Sequence, residues 1–378
     1  MILLLKIKDI NSCMKNYRLG IHDKQLFYVN NGNLNKVIYT GKDKLINSKC
    51  KIDNCDQKKW DKCKKYMNPY EYIYTSSNTR KNICSVSPVS RSYFKLHEMI
   101  VDLKLINFKE NNTFICIAEG PGGFIHCLHD QFISNKKTFL NLHAITLISS
   151  DPTIPYWNNN IVRDPKNKLC EGSDGTGSIY VLKNVEMFID TIKNDKNFCG
   201  LITADGGFDF SDDYNSQEDS SYQLLLSEIY IALNVQDLNG SFIIKVFDLF
   251  NYQTVQLIYL LYCSYSYIEI YKPTTSRLSN SEKYIVCSGF QGVSKEILEN
   301  IKENFNTPEK INYDVPKSFI DDINNYNDIF VKGQIDTIEN ILKNIENYKE
   351  MPTRSQIKDA IKWCELYHLP INRNCIYL

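Results

Sequence analysis

A glycine-rich segment in the first half of the chain has the composition of a ligand-binding turn. It occupies residues 118–124, after an apolar β-like run at 113–118 and before a helical pattern at 125–133. In an open α/β sheet a ligand lies beyond the carboxyl ends of the strands, where glycines let it approach the backbone. The candidate binding residues are Glu119, Gly120, Pro121, Gly122, Gly123 and Phe124.

The spacing of these glycines narrows the class of ligand. The segment is not GxGxxG, which disfavours a dinucleotide, and the chain has no GxxxxGK[ST] loop for a nucleoside triphosphate. The carboxylate of Glu119 suits the cationic end of a zwitterionic cofactor, while backbone amides suit its carboxylate or ribose. S-adenosylmethionine meets these needs. Taken alone, the segment is equally compatible with an ordinary tight turn.

The elements that must position this turn alternate along the chain. A helical pattern at 92–104 precedes it, and β-like runs follow at 143–149, 200–204, 241–247, 267–271 and 283–288, with helical patterns between several of them. Strands that alternate with helices predict a mostly parallel, doubly wound α/β sheet. Amphipathic helical patterns follow at 295–304, 334–349 and 354–366.

The length of 378 residues allows one large α/β domain with appendages, or two domains. Residues 1–66 mix short β-like runs, at 25–30 and 36–40, with polar connections, and we predict a small N-terminal module there. Residues 67–290 contain the alternating pattern and form the predicted main domain. Residues 291–378 form a predicted C-terminal helical extension.

Charge and hydropathy exclude some classes of partner. Lys plus Arg equal Asp plus Glu at 44 each, so any nucleic-acid site must be a local basic patch. The apolar run at 1–5 is followed by Lys6, Lys8 and Asp9, and is too short for a secretory signal or a membrane span. We therefore expect a soluble intracellular protein of the cytoplasm or nucleus, without a membrane partner.

The 13 cysteines mostly stand singly in apolar stretches, which is typical of small buried side chains. This usage indicates reduced thiols in a reducing compartment. Cys50, Cys55 and Cys63 with His22 lack the paired CxxC spacing of structural zinc sites, so we predict no metal site.

The glycine turn resembles the cofactor motif of the FtsJ-like ribose 2′-O-methyltransferases, especially the branch that modifies mRNA caps. Four more blocks resemble the family in its own order, at 90–98, 203–209, 240–248 and 272–284. The resemblance covers about residues 68 to 290. It implies a Rossmann-like methyltransferase fold, S-adenosylmethionine as the cofactor, and four catalytic residues, which are Lys95, Asp205, Lys245 and Glu282.

The resemblance implies a cap-specific mRNA 2′-O-methyltransferase, with 5′-capped RNA and other capping or transcription proteins as partners. The same four residues would serve an enzyme acting on rRNA or tRNA, so the class of RNA stays open. A non-catalytic RNA-binding subunit of a capping complex is disfavoured, because all four reactive positions are filled. The Lys-, Asn-, Ile- and Tyr-rich composition suits family members from large DNA viruses, which would act in a viral factory or virion.

Methyl transfer from a sulfonium to an alcohol requires alignment of oxygen, methyl and sulfur, and removal of a proton. Alignment supplies the larger share, since oriented reactants reach effective molarities of about 10⁵–10⁸ M. The apolar run around Lys245, together with Lys95, would lower the pKa of Lys245, whereas Asp205 and Glu282 would raise it. The sequence leaves open whether Lys245 is a base or an orienting cation.

Acidic contacts to the adenosine half of the cofactor are harder to place. Asp174, in an Asp-Gly-Thr-Gly segment that resembles an adenine-side loop of the cap branch, is the predicted contact. Asp151 is the alternative, although its position before Pro152 is typical of a turn. Asp205 is predicted to contact the cofactor as well as the substrate.

Five side chains are candidates for binding RNA. Positive charge for phosphates and rings for stacking on a base or cap guanine come from Lys272, Arg277, Arg91, Tyr93 and Phe94. Surface salt bridges and core packing would explain the same residues equally well.

Overall fold

A computed structural model describes residues 14–26, 36–108, 113–138, 141–195, 199–207 and 216–378. Eight strands in these ranges form one sheet in the order β1-β7-β8-β6-β5-β2-β3-β4. The strands are β1 Asn16–Arg18, β2 Thr113–Ile117, β3 Asn141–Ile145, β4 Asn167–Cys170, β5 Cys199–Ala204, β6 Ser241–Val246, β7 Tyr265–Tyr271 and β8 Lys283–Phe290. The helices are α1 Lys42–Asp53, α2 Gln57–Tyr66, α3 Ser92–Leu103, α4 Gly123–Ser134, α5 Asn159–Arg163, α6 Leu182–Asn194, α7 Gln217–Val235, α8 Tyr252–Ser264, α9 Lys295–Glu303, α10 Lys317–Asn344 and α11 Arg354–Leu366.

The central part of the sheet is parallel, as the alternating pattern predicts. β2 pairs in parallel with β3 and β5, β3 with β4, and β5 with β6. β8 joins β6 in the antiparallel sense, β7 joins β8, and β1 joins β7. The doubly wound α/β fold is therefore confirmed, with an antiparallel portion at one side. The glycine turn follows β2, at the carboxyl edge of the parallel strands.

Helices cover both faces of the sheet because successive strand residues point to opposite faces. In β2, Ile115 and Ile117 belong to the apolar cluster formed with α6, α7, α8 and α10. Phe114 and Cys116 belong to the cluster formed with α3, α4 and α11. Every residue of β2 is buried, which explains its continuous apolar run.

The segments outside the central pattern pack onto this sheet. β1 adds a strand beside β7, and a third apolar cluster joins α1 and α2 to α10. The division at residues 66 and 290 stays a prediction. Of the two predicted N-terminal β-like runs, 25–30 lies mostly outside the described residues, and 36–40 makes a single bridge from Val37 to Asn251.

None of the helices within the described ranges is long and apolar enough to cross a membrane. The cysteines in those ranges all have free thiols. Among the same residues, no group of three or more His, Cys, Asp or Glu side chains could hold a metal ion.

Candidate active site

The sheet brings all four predicted catalytic residues to one edge. Asp205 follows β5, and Lys245 is the last residue but one of β6. Glu282 directly precedes β8, and because β8 runs antiparallel to β6, its amino end lies at the carboxyl end of β6. Lys95 projects from α3, which packs beside α4 and its glycine turn.

The four side chains form two ion pairs. Lys95 Nζ lies 2.7 Å from Glu282 Oε1 and 2.8 Å from Oε2. Lys245 Nζ lies 3.2 Å from Asp205 Oδ1 and donates to the backbone oxygen of Asp205 at 2.8 Å. The four side chains are 11–17% exposed, so a substrate can reach a site that is otherwise largely desolvated.

Neighbouring side chains hold these carboxylates in place. The Tyr284 hydroxyl donates to Asp205 Oδ1 at 2.9 Å, and the Ser276 hydroxyl donates to Glu282 Oε1 at 2.8 Å. We did not predict either contact from the sequence. The signal for Tyr284 was its position two residues after Glu282, since alternate residues of a strand share a face.

The carboxylates decide the charge state of Lys245. Burial alone would lower the pKa of Lys245, but Asp205, Glu282 and Glu228 raise it above the ordinary lysine value. The pKa-lowering effect expected from the apolar strand is therefore outweighed, and Lys245 is an ammonium in the unliganded protein. Burial would raise the pKa of Glu282, but Lys95, Lys245 and Lys272 hold it well below its usual range.

A buried carboxyl on α7 also faces this site, and sequence reasoning missed it. Glu228 is 1% exposed, and its carboxyl accepts from the backbone amide of Gly206. Burial raises the pKa of Glu228 to about 8, although Lys245 opposes the shift. Its Oε1 has no hydrogen-bond partner among the described residues. A glutamate inside the mostly apolar run 224–233 of this helix was the available signal.

Glu228 gives a prediction about stability and pH. Because the folded chain raises its pKa from 4.5 to about 8, the folded state holds the proton more tightly, and stability falls as pH rises across that interval. We expect Glu228→Gln to reduce this loss of stability. Between pH 5 and pH 8, the melting temperature of the wild type should fall further than that of the variant, by about 2 °C or more. Thermal unfolding at both pH values measures this, and parallel pH curves would contradict it.

The glycine turn is held by hydrogen bonds from both sides. Glu119 is 3% exposed, and its carboxylate accepts from the backbone amides of Phe124 at 2.7 Å and Ile125 at 3.4 Å. Burial raises the pKa of Glu119 to about 8. Gly120 N donates to Thr146 Oγ1 at 3.0 Å. Glu119 thus caps the start of α4, and its predicted contact with a cofactor stays a prediction.

The glycines of the turn allow close packing against other parts of the protein. A Cβ on Gly120 would meet the Pro155 carbonyl oxygen, and one on Gly123 would meet the Ser92 hydroxyl. Gly122 has φ of +109°, and a Cβ there would lie 2.8 Å from Ile161 Cγ1. Protein packing therefore requires these glycines even before a ligand is considered.

We predict that Gly122→Ala destabilises the fold more than the matched substitution Gly175→Ala. Both positions have positive φ, which costs an alanine roughly 1–3 kcal/mol, but Gly175 has open space around its Cβ position. The clash with Ile161 adds about 1–3 kcal/mol at Gly122 alone. Urea unfolding measures both variants, and equal losses would show that the Ile161 contact costs nothing.

The two acidic candidates for the adenosine side have local partners. Asp174 Oδ1 accepts from the Thr176 amide and from Asn184 Nδ2, each at 2.9 Å. Asp151 Oδ1 accepts from the Thr153 amide at 2.8 Å, in a turn of the kind its sequence predicts. Both side chains stabilise their own loops, and the role of Asp174 toward a cofactor stays a prediction.

Three of the candidate RNA contacts are buried, which favours packing within the protein, the alternative that the sequence left open, over contact with RNA. Lys272 is 2% exposed, and its ammonium donates to the backbone oxygens of Glu282 at 2.5 Å and Asn280 at 3.0 Å. Tyr93 and Phe94 are 1% and 2% exposed. Lys272 therefore supports the segment that carries Glu282, and the two rings belong to the core.

The two arginines form a salt-bridged pair around one buried carboxylate. Arg91 Nη1 and Arg277 Nη2 each lie 2.9 Å from Glu71 Oε1. Glu71 is fully buried, whereas the arginine side chains are 30% and 32% exposed. One carboxylate balances only one of the two guanidinium charges, so this surface keeps a positive charge.

Comparison with known proteins adds independent information. Residues 88–290 match the sequence pattern of the FtsJ-like methyltransferase family. The mouse protein named cap-specific mRNA (nucleoside-2′-O-)-methyltransferase 1 is 32% identical over 242 residues, which cover 58% of this chain and 27% of the mouse protein. A Trypanosoma brucei protein of the same name is 31% identical over 225 residues, covering 56% of this chain and 58% of that protein. The chain thus matches about a quarter of the mouse relative's length.

Proposed function

Because the chain belongs to the FtsJ-like methyltransferase family, we propose that it transfers a methyl group from S-adenosylmethionine to a ribose 2′-hydroxyl of RNA. The observation that carries this proposal is the pairing of Lys95 with Glu282 and of Lys245 with Asp205 at the carboxyl edge of the sheet, beside the glycine turn. We further propose that the substrate is the capped end of mRNA, since the relatives compared above are named for that reaction.

The loops around the glycine turn suit the two ends of S-adenosylmethionine. Asp205 provides a carboxylate beside the turn for a cationic group, since its backbone amide donates to the oxygen of Ile117 at the end of β2 at 3.3 Å. The loop of Asp174 lies at the same edge, since Thr176 O accepts from Ile148 N at 2.7 Å in the segment after β3. The charged end would then lie at the ion pairs and the adenosine end at this loop.

Apolar surface is available where the adenine ring would lie. Leu147 follows β3 and is 40% exposed, while Tyr180 and Val181 follow the Asp174 loop and are each 37% exposed. Large apolar side chains that stay partly exposed at a sheet edge are typical of a ligand surface. The residues present therefore fit the cofactor, which would supply the methyl group as part of a sulfonium.

The four residues then act on the ribose hydroxyl. We infer that Lys245 Nζ would hold the hydroxyl oxygen, and that its amine form would accept the hydroxyl proton. The cofactor would supply the methyl group as its S–CH3 bond breaks and the neutral thioether leaves. Asp205 Oδ1, 3.2 Å from Lys245 Nζ, stabilises the ammonium that the proton transfer produces. Glu282 and Lys95 hold each other in place beside this pair, so that they position the ribose with little reorganisation.

Two transcripts that differ only in the cap test the choice of RNA. We expect the wild-type protein, incubated with methyl-labelled S-adenosylmethionine, to incorporate more label into a transcript with a methylated guanosine cap. Equal incorporation into capped and uncapped transcripts would overturn the cap assignment and favour rRNA or tRNA. The free thiols within the described ranges suit a reducing compartment, where we place this reaction.

A further inference from the structure

A pocket lies outside the part of the chain that matches the family pattern. It has a volume of about 340 Å³ and is formed between the N-terminal helical segment and the C-terminal end of the chain. Its lining includes Lys65, Tyr66, Tyr72, Lys81 and Tyr377. Small-molecule sites typically have about 300–1,000 Å³, so the volume suits a group the size of one nucleotide.

The Tyr72 side chain contributes an unpaired polar atom to the wall of this pocket. Its side chain is fully buried, and its ring packs edge-on against Tyr377 with centroids 5.5 Å apart. Its hydroxyl has no hydrogen-bond partner in the part of the chain that the structure describes. A buried hydroxyl without a partner costs about 1–3 kcal/mol, and a polar group that met it after a small rotation of the ring would remove that cost.

The charges around the pocket favour an anion. Lys65 and Lys81 line it, and Arg91 Nη1 donates to the backbone oxygen of Tyr74 at 2.5 Å, in the segment that forms one wall of the pocket. Glu71 is the carboxylate that this arginine shares with Arg277. The acidic lining residue Glu350 is already paired with an exposed lysine outside the pocket, 2.9 Å from its Nζ.

The tyrosine rings of the lining suit the base of a nucleotide. Tyr66 and Tyr377 are half-buried rings of the lining, and aromatic rings stack on bases of any sequence. Lysines at the same pocket suit the phosphate. A peptide with acidic side chains would use the lysines, but it would gain nothing specific from several tyrosine rings. The combination therefore favours a phosphorylated base.

We propose that this pocket binds one nucleotide of the RNA, with its phosphate at Lys65 and Lys81 and its base at the tyrosine rings. The proposal rests on the proposed function for the choice of RNA as the source of the nucleotide. Arg91 connects the two sites. It stands at the N-cap of α3, four residues before Lys95, and this spacing places the two side chains on the same face of the helix. A bound strand would thus pass from the pocket over the arginines to the catalytic residues.

The substitution Tyr72→Phe tests the pocket with the least disturbance. It removes only a hydroxyl that no described residue bonds. We expect the full chain to bind a fluorescent 5′-triphosphate RNA oligonucleotide about 2- to 10-fold more weakly, as for the loss of one hydrogen bond, with a melting temperature equal to or above that of the wild type. Unchanged RNA affinity in the folded variant would overturn the role of the hydroxyl.

Lys81→Ala tests the phosphate contact through salt dependence. Each phosphate contact to single-stranded RNA contributes about 0.7 to the slope of log affinity against log salt, so we expect the slope to fall by about that amount. Lys295→Ala, an exposed lysine at the start of α9, is the matched control and should keep the wild-type slope. Equal slopes for both variants and the wild type would overturn the proposal.

Binding of this RNA can be measured without methyl transfer, so failure of the two proposals can be told apart. If no RNA is methylated but both pocket variants weaken RNA binding, the pocket assignment stands and the proposed activity fails. If free GMP protects the pocket tyrosines from modification while RNA affinity is the same in all variants, the pocket holds a free nucleotide and the RNA assignment is overturned. If an acidic peptide displaces the RNA oligonucleotide and GMP does not, the pocket prefers a peptide and the nucleotide assignment is overturned.

Discussion

Lys245→Ala is expected to lower the rate of methyl transfer by about 10²- to 10⁴-fold or more, the range typical of losing a general base. The substitution removes the group that we place at the ribose hydroxyl and leaves Asp205 without its ion-pair partner. We expect the affinity for S-adenosylmethionine to stay close to wild type, because Lys245 acts on the substrate. Single-turnover kinetics and calorimetry on the same preparation separate chemistry from binding.

Two further substitutions at this position control for volume and charge. Lys245→Met keeps the length of the side chain and should be as inactive as the alanine variant. Lys245→Arg keeps the positive charge, but guanidinium does not lose its proton, so it should also stay inactive if the amine accepts the proton. Rapid turnover by a folded Lys245→Ala protein would refute the assignment of Lys245.

The pH dependence follows from the raised pKa of Lys245. A lysine whose pKa lies above its ordinary value is almost entirely ammonium near neutral pH, and its amine form increases as pH rises. The methyl-transfer rate of the wild type should therefore rise with pH through the neutral range. The apparent pKa of this rise should report the four interacting residues together and not Lys245 alone. A rate independent of pH would assign Lys245 as an orienting cation.

Glu282→Gln is expected to cause the second large loss. The carboxylate of Glu282 balances Lys95 directly and also lowers the electrostatic cost of Lys245 and Lys272. Its removal deprives Lys95, Lys245 and Lys272 of a shared counter-charge, and breaking a largely buried pair from one side costs about 3–5 kcal/mol of stability. We expect activity to fall by at least about 100-fold, because Lys95 loses its fixed position.

An exposed ion pair provides the matched control for this change. Lys51 Nζ lies 2.9 Å from Glu339 Oε1, and the two side chains are 56% and 52% exposed. Glu339→Gln should cost about 0–1 kcal/mol and leave methyl transfer unchanged, since solvent screens this pair. Urea unfolding and rate measurements on both variants test the comparison. Equal losses of stability would show that the position of Glu282 is not special.

The sequence predicted most of the central sheet because its strands are continuous apolar runs. The run at 113–118 corresponds to β2 Thr113–Ile117, and the run at 241–247 to β6 Ser241–Val246. β4 Asn167–Cys170 was missed because it is a half-exposed edge strand with a polar composition. α10 Lys317–Asn344 is much longer than its predicted part at 334–349, because Asn and Asp residues interrupt the apolar spacing of its first half.

The site was predictable where a residue stands in a characteristic block, and less so where tertiary contacts decide its role. Lys95, Asp205, Lys245 and Glu282 come together as the block order implied. Their charge states could not be read from the sequence, because Lys245 is influenced by carboxylates from three separate segments. The burial of Lys272 could not be read from the sequence either. Its partners Asn280 and Glu282 come eight and ten residues later, and only the folding back of this segment brings them to Lys272.

The location of the transferred methyl group tests the central claim most directly. After incubation with labelled S-adenosylmethionine, the RNA is digested to nucleosides and each labelled product is identified by mass spectrometry. We expect the label on a ribose 2′-oxygen, with no incorporation when the target nucleotide is 2′-deoxy or when the protein is Lys245→Ala. Label on a base, or equal incorporation into the 2′-deoxy substrate, would contradict the account.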